Sequence, residues 1–285
     1  MKDKKYVSPC AYQGGKQRLS EAIINKIEFI EGPEPYIIYD LCCGSGAVSL
    51  EAIQRDNYAV MIDKNFYGLF WEKIGKGEFD LKIFQNEISK LPDVSKIQEY
   101  LKDLSNRPID QEFVVYHYLL LQAGAFGSKQ IWAEGGEWKN NTFRSYWLPT
   151  ETSNRKSPVN PMMPMPKTLY DRVAALTELQ DKITGYYIDV FECKEIIEQG
   201  IGKKIIYVDP PYKNTTGYKD SFDIEELLSY LPNNIPIYIS EGYKMEGSKE
   251  SWLLSQGREK GNISGTVKKK PVEEWLNYFY KMDTL

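Results

Sequence analysis

Short apolar runs alternate with segments of helical periodicity along most of the chain. Strands are predicted at 36–41, 58–62, 185–190, 204–208 and 235–240. Helices are predicted at 18–27, 47–54, 66–102 with a break at 91–93, 112–122 and 167–182, and a last helix and strand at 272–280. Because strands that alternate with helices form sheets covered on both faces, the pattern predicts a doubly wound α/β sheet.

The composition changes in the middle of the chain. Residues 124–166 are rich in glycine, asparagine and tryptophan and end in a stretch of proline and methionine. Residues 134–137, with the sequence Glu-Gly-Gly-Glu, have the glycines typical of a hairpin. We therefore expect a smaller lobe at 68–169, inserted into a main domain that is formed by 1–67 and 170–285.

Composition narrows the class of protein. The 285 residues are 42% hydrophobic and 13% aromatic, which is typical of a globular chain with one large or two modest domains. No apolar run approaches the ~20 residues of a membrane span, and the charged N-terminus is unlike a signal peptide, so we expect a cytoplasmic protein without a membrane partner. The single histidine, and four cysteines without zinc-site spacing, predict no metal site.

The charge balance is mildly acidic. The chain has 36 Lys+Arg against 40 Asp+Glu, a net charge of −4. This balance argues against a protein that coats nucleic acid broadly, but it allows a local basic surface.

A glycine turn follows the first predicted strand. Gly44 and Gly46 stand between 36–41 and the helix at 47–54, where glycine lets the backbone approach a ligand and the helix start offers free N–H groups. Asp63, at the end of the next strand, is placed to bind the two hydroxyls of a ribose. A dinucleotide site, an S-adenosylmethionine site and a plain tight turn all fit this pattern, although the missing third glycine disfavours NAD.

A second candidate site follows the strand at 204–208, where the sequence reads Asp209-Pro210-Pro211-Tyr212. Two prolines hold a rigid, extended turn and donate no N–H. A carboxylate, a fixed carbonyl and an aromatic ring would then stand at the carboxyl end of a strand, where α/β sheets bind their ligands. A purely structural turn would explain the prolines but not an aspartate with no cationic neighbour in the sequence.

A third candidate precedes the helix at 18–27, where the sequence reads Tyr12-Gln13-Gly14-Gly15-Lys16. Two glycines before a lysine favour a backbone that folds over an anionic group. By itself such a segment is more often a plain loop than a binding site.

In this order, the three segments resemble the motifs of the Dam-type DNA adenine-N6 methyltransferases. The family's W-A-G-G-K corresponds to 12–16, its F-x-G-x-G to 41–46 and its strand-end aspartate to Asp63, and its D-P-P-Y stands unchanged at 209–212. The resemblance covers nearly the whole chain. It implies the Rossmann-like fold of the S-adenosylmethionine-dependent methyltransferases, with 68–169 as the target-recognition lobe.

The resemblance also implies a role for each motif. Asp209 and Pro210 would accept hydrogen bonds from the adenine amine, and Tyr212 would stack on the base that is flipped out of the duplex. The implied catalytic residues are Asp209, Pro210, Pro211 and Tyr212. The implied S-adenosylmethionine-binding residues are Tyr12, Lys16, Gly44, Gly46, Asp63, Asp189 and Asp209.

Double-stranded DNA is the partner that the resemblance implies. The candidate DNA-binding residues are Lys129, Gln130, Lys139, Arg144, Lys268, Lys269 and Lys270. The family's GATC readers carry an asparagine and an arginine in a segment that is Gly-Ser-Lys-Gln-Ile at 127–131 here. We therefore expect a target other than GATC, with Lys129 and Gln130 as the substitute readers.

The implied activity is transfer of a methyl group from S-adenosylmethionine to adenine N6 at a specific site in duplex DNA. Two alternatives stay open. Related proline turns serve the amines of RNA adenine and cytosine N4, so either could be the acceptor. A non-catalytic protein that binds DNA or a nucleotide could also keep the same fold.

Overall fold

The computed structural model describes residues 6–161, 163–211, 222–258 and 271–282. The strands are β1 (Ile37–Leu41), β2 (Tyr58–Ile62), β3 (Trp132–Glu134), β4 (Glu137–Lys139), β5 (Ile183–Tyr186), β6 (Lys204–Val208), β7 (Ile237–Glu241), β8 (Glu250–Arg258) and β9 (Pro271–Phe279). The α-helices are α1 (Ser20–Glu31), α2 (Ala47–Ile53), α3 (Phe66–Gly75), α4 (Leu81–Ser89), α5 (Ile97–Ser105), α6 (Val114–Gly124), α7 (Pro166–Leu176), α8 (Lys194–Gln199) and α9 (Ile224–Tyr230).

The described strands form one large sheet and one hairpin. The large sheet has seven strands in the order β5-β2-β1-β6-β7-β9-β8, and the hairpin pairs β3 with β4. Strands β5, β2, β1, β6 and β7 are parallel, whereas β9 is antiparallel to both β7 and β8. This order, with one antiparallel strand placed next to the edge strand, is a Rossmann-like α/β arrangement. The predicted doubly wound α/β sheet is confirmed.

Helices cover both faces of the sheet, because the central strands are apolar on both faces. Successive side chains of β6 alternate: Ile205 and Tyr207 belong to the core beneath α1, α2 and α3, whereas Ile206 and Val208 belong to the core beneath α8 and α9. All four of these side chains are buried. The burial explains why β6 reads as a continuous apolar run in the sequence.

Helix α3 lies unusually close to β5. A Cβ atom placed on Gly185 would stand 2.1 Å from the backbone carbon of Trp71, so glycine is required for this contact. Helix α3 begins at Phe66 and therefore crosses the predicted boundary between 67 and 68. The exact division of the chain into a main domain and an inserted lobe stays a prediction.

The segment between β2 and β5 contains helices α3 to α7 and the β3–β4 hairpin. The predicted hairpin is confirmed, with Gly135 and Gly136 at positive φ in its turn. Helix α6 is buried almost along its whole length, as its all-round apolar sequence indicates.

The end of the chain differs from the sequence-based prediction. The predicted helix within 272–280 is wrong, because β9 runs as a strand through Pro271–Phe279. Val272, Trp275, Leu276 and Phe279 have the spacing of a helix face, which explains the error. The strand lies between β7 and β8 and bonds to both, so pairing on two sides overrides the local pattern.

Strand β5 also differs from its prediction. It covers Ile183–Tyr186 rather than 185–190. The side chain of Asp189 accepts a hydrogen bond from the Phe191 N–H and caps a 3₁₀ turn, while the Glu192 side chain accepts one from the Asp189 N–H. This reciprocal capping ends the extended run three residues before Asp189. Asp189 therefore lies in a turn after β5 and not at a strand end.

Candidate active site

A cleft of about 380 Å³ opens at the carboxyl ends of the parallel strands. Six of the seven predicted cofactor-binding residues line it, namely Tyr12, Lys16, Gly44, Asp63, Asp189 and Asp209. The cleft lies where the sheet order reverses direction between β1 and β6, which is the usual ligand site of such folds.

The glycine turn after β1 is tied to the end of β2 through Asp63. Its two carboxylate oxygens accept hydrogen bonds from the backbone N–H groups of Gly44 and Asn65, each at 2.8 Å. The Trp71 indole N–H donates to the Gly44 carbonyl at 2.9 Å. Burial raises the pKa of Asp63, and the two N–H bonds oppose the rise. The turn is thus fixed around a carboxylate that lines the cleft.

The two glycines of the turn have different roles. Gly44 (φ +47°) lines the cleft, and an added Cβ would stand 2.8 Å from the Tyr12 ring. Gly46 (φ +75°) is not among the lining residues, and its Cβ would stand 2.4 Å from Met61 and 2.6 Å from Trp71. Gly46 therefore serves the packing of the turn on α3 and β2, and its contact with the cofactor stays a prediction.

Asp209 extends β6 into the cleft and meets Lys16 from the loop before α1. Lys16 Nζ donates to Asp209 Oδ1 at 2.6 Å and to the Gly14 carbonyl at 2.9 Å, and the lysine side chain is only 5% exposed. Glu274 of β9 lies 3.4 Å from the same Nζ. Pro210 is buried, and Pro211 lines the cleft. The structure thus supplies the cationic neighbour of Asp209 that the local sequence lacks.

Two carboxyl groups of the cleft titrate close to neutral pH. Burial raises the pKa of Asp209 to about 6, and the charge of Lys16 opposes that rise. Burial also raises the pKa of Asp40 to about 7, although the Ser49 hydroxyl donates to Asp40 Oδ2 at 2.7 Å. A carboxylate with a pKa near 6 is poised to accept a proton at neutral pH.

Aromatic rings line the side of the cleft near α3. The ring of Tyr12 packs edge-on against Tyr67, with ring centroids 5.1 Å apart. Tyr187 stacks on Phe66 at 6.0 Å, and both rings line the cleft. Asp189 lies beside them and pairs with Lys64 at 3.3 Å. Flat apolar surfaces next to carboxylates suit a purine base joined to a ribose.

The inserted segment contributes one wall of the cleft. Gln130, Trp132 and Ala133 line it. The Gln13 N–H donates to the Ser128 carbonyl at 2.7 Å and holds the segment there, while within the segment the Ile131 N–H donates to Gln122 Oε1 at 3.0 Å. The predicted target-reading segment is therefore fastened to the Tyr12–Lys16 loop.

The predicted DNA-binding residues differ in their surroundings. Lys129 and Arg144 are exposed, whereas Lys139 pairs with Glu137 at 2.6 Å. Large apolar side chains are exposed nearby, with Phe126 51% and Trp147 45% exposed. Lys268, Lys269, Lys270 and the catalytic candidate Tyr212 lie outside the described residues.

Sequence reasoning missed two carboxylates near Asp209. Asp40 is the first residue of the glycine motif, and its place at the carboxyl end of a strand was the available signal. Glu274 gave no local signal, because only the pairing of β9 with β7 brings it to this edge of the sheet.

Among the residues that the structure describes, no group of three or more His, Cys, Asp or Glu side chains is arranged to hold a metal ion. No helix within the described ranges has the length and apolar character needed to cross a membrane.

Comparisons with known proteins add little to the geometry. No protein-family model matches the chain, and no curated protein matches it. Two solved structures of the rRNA methyltransferase aviRa from Streptomyces viridochromogenes are similar to it at 12% identity, and the match covers 92% of this chain and 83% of that protein. The TM-scores are 0.33 and 0.32, so the similarity supports no transfer of activity or substrate.

Proposed function

We propose that this protein is a site-specific DNA adenine-N6 methyltransferase that uses S-adenosylmethionine. The observation that carries the proposal is Asp209, a carboxylate at the carboxyl end of β6 that Lys16 holds at 2.6 Å beside the glycine turn. The two prolines that follow Asp209 complete the first three positions of the family's catalytic motif. A cleft with this fold and these groups suits the alkylation of an amine.

The charge of the cleft fits a cationic donor. Asp40, Asp63 and Asp209 line it, and Lys16 is the ammonium buried among them. Tyr12 and Gly44 would contact the donor where the glycine turn lines the cleft. Asp63 would accept hydrogen bonds from its ribose, and Asp189 would lie near its adenine. When bound, S-adenosylmethionine supplies an electrophilic methyl group on a positively charged sulfur.

Asp209 has the position to activate the acceptor amine. Lys16 occupies its Oδ1, and no hydrogen bond from a described residue reaches Oδ2. An amine hydrogen can therefore be bound at Oδ2, which draws the nitrogen lone pair toward the incoming carbon. In the transfer, a nitrogen–carbon bond forms, the sulfur–carbon bond breaks with its electron pair left on sulfur, and the amine proton passes to the Asp209 carboxylate. Positioning supplies most of the acceleration in such a step.

The inserted segment supports DNA as the acceptor. Exposed cations at Lys129 and Arg144 suit phosphates, and exposed rings at Phe126 and Trp147 suit base contacts. Gln130 lines the cleft and would lie next to an extruded base. Adenine bound by Asp209 would have to leave the duplex stack to reach this depth.

Label transfer tests the proposal. Protein given tritiated S-adenosylmethionine is expected to label duplex DNA at adenine N6, and to label RNA of the same sequence and cytosine N4 far less. Asp209→Ala should reduce transfer by a factor of roughly 10² or more, in the range typical of a lost transition-state contact, while binding of S-adenosylhomocysteine falls only in part.

Label that appears mainly on RNA or on cytosine would show that this other group is the acceptor and that adenine in duplex DNA is not. Donor binding without transfer to any nucleic acid would favour the non-catalytic alternative. Near-wild-type turnover of Asp209→Ala would contradict the role of Asp209.

A further inference from the structure

The buried ammonium of Lys16 is shared by groups from three separate parts of the chain. Its Nζ lies 2.6 Å from Asp209 Oδ1, 2.9 Å from the Gly14 carbonyl and 3.4 Å from Glu274 Oε1. An ammonium has three hydrogens to donate, and two of these contacts are hydrogen bonds, to Asp209 and to the Gly14 carbonyl. Glu274 adds an ion pair to the same ammonium from the last strand.

Glu274 reaches Lys16 through the pairing of the last strand. In β9 the next residue, Trp275, pairs with Glu241 at the carboxyl end of β7. This register places Glu274 just past that end, at the edge of the sheet that carries Asp209. Glu274 is not among the residues that line the cleft, and its side chain is 16% exposed. It therefore contacts Lys16 without forming part of the cleft wall.

The carboxylate of Glu274 changes the summed charge of the groups around Asp209. Asp209 and Lys16 alone would form a neutral pair, whereas Asp209, Lys16 and Glu274 together carry one negative charge. Other titratable groups face the cluster: Asp40 from β1, Tyr207 from β6 and Glu241 from β7. Burial raises the pKa of Glu241, and the nearby carboxylates Glu274 and Asp209 raise it further, while the charge of Lys16 opposes the rise.

We propose that Glu274 is a positioning residue of the transfer reaction, which holds the Lys16 ammonium on Asp209 Oδ1 and so keeps Oδ2 available to the acceptor amine. This inference rests on the proposed function. Glu274 also adds a negative charge beside the Lys16–Asp209 pair, which suits a cationic donor and an amine that loses a proton.

The charge of Glu274 acts on Asp209 over a short distance. The two carboxylate oxygens lie within about 6 Å of each other, because both contact the same Nζ. The negative charge of Glu274 contributes to the raised pKa of Asp209 behind the larger effect of burial. Removal of that charge should therefore lower the midpoint at which Asp209 titrates by about 0.5–2 pH units.

The test compares Glu274→Gln with Glu273→Gln. The amide introduced by Glu274→Gln keeps an oxygen for Lys16 but loses the charge. Glu273, the adjacent residue of β9, bonds instead to Gln256 and Trp275 and serves as the matched control. The titration of Asp209 is followed by carboxyl carbon NMR in the ligand-free protein, so this readout needs no substrate.

We expect Glu274→Gln to lower the Asp209 midpoint while Glu273→Gln leaves it within about 0.2 pH units, a margin below the smallest expected shift. In Glu274→Gln, the acidic limb of the pH profile of kcat on DNA should move by the same amount, and KM for DNA should change less than twofold. Glu274→Ala, which also removes the acceptor, should lower kcat further at every pH. Should this variant fold poorly, Glu274→Gln still decides the question.

An unchanged Asp209 midpoint in Glu274→Gln would overturn the inference, and so would an equal shift in the control. If DNA methylation is observed but the midpoint does not move, the proposed function survives and the role of Glu274 is wrong. If the midpoint moves but the wild-type protein methylates no DNA, the proposed function is wrong and Glu274 keeps only its place in the Lys16–Asp209 cluster.

Discussion

At the scale of single residues, the cleft is organised by three carboxylates that accept hydrogen bonds, of which Asp40 and Asp63 are buried and Asp209 is 19% exposed. Asp63 accepts two backbone N–H groups, Asp40 accepts the Ser49 hydroxyl, and Asp209 accepts the Lys16 ammonium. Each bond offsets part of the cost of burying a charge. The three residues thus remain available to a polar ligand although the surrounding sheet is apolar.

Asp63→Ala should weaken binding of S-adenosylhomocysteine by about 1–3 kcal/mol, because charged hydrogen bonds to the ribose are lost. Calorimetry measures the change. Asp80→Ala is a suitable control, since Asp80 also accepts two backbone N–H groups, from Lys82 and Ile83, but caps α4 away from the cleft. Equal losses of affinity in the two variants would contradict the assigned site. So would a wild-type protein that binds NAD and does not bind S-adenosylhomocysteine.

At the scale of secondary-structure elements, the turn between β1 and α2 is fitted to its neighbours with little spare room. Gly46 caps α2 with a positive φ, and Met61 of β2 and Trp71 of α3 fill the space where a side chain would stand. Trp71 also donates its indole N–H to Gly44. The shape of the cleft floor therefore depends on the packing of two other elements on this turn.

Gly46→Ala is expected to destabilise the protein by roughly 2–5 kcal/mol, from a left-handed backbone and a collision with Met61 and Trp71. Gly135→Ala in the hairpin turn has a similar φ of +61° but no atom within 4 Å of the added Cβ. It should lose only about 1–2 kcal/mol. Urea unfolding of both variants measures the difference, and equal losses would show that crowding at Gly46 is not the cause.

At the scale of the whole molecule, the cleft is a joint product of the sheet and the inserted segment. The chain carries a net charge of −4, so under the proposed function contacts with DNA phosphates would have to come from local groups such as Lys129 and Arg144. Gln130 and Trp132 stand in the wall of the cleft, and the Gln13–Ser128 hydrogen bond links that wall to the loop of Lys16. Target choice and chemistry would therefore take place within one cavity.

We predict that the protein methylates adenine at a short site other than GATC. Residues 127–131 lack the family's asparagine and arginine, and each base-reading pair of hydrogen bonds is worth about 1–3 kcal/mol of discrimination. Sequencing that detects N6-methyladenine, in a host without adenine methylation, would map the site, with Asp209→Ala as the blank. Modification mainly at GATC would refute the altered specificity.

The sequence by itself determined the features that depend on neighbouring residues. The bounds of β2 and β6 agree with their apolar runs, and the hairpin glycines predicted the β3–β4 turn. The glycine turn and Asp209 were found because ligand sites of α/β sheets lie where strands end, and strand ends are visible in the pattern of the chain.

Tertiary structure decided what depends on residues far apart in the chain. Lys16 and Asp209 are separated by 193 positions, and no local pattern pairs them. The helical spacing of 272–280 gave way to a strand because β7 and β8 offered hydrogen bonds on both sides. That pairing also brings Glu274 to Lys16. The physical reason is the same in each case: the free energy of a buried hydrogen bond or ion pair comes from a partner that only the folded sheet places within reach.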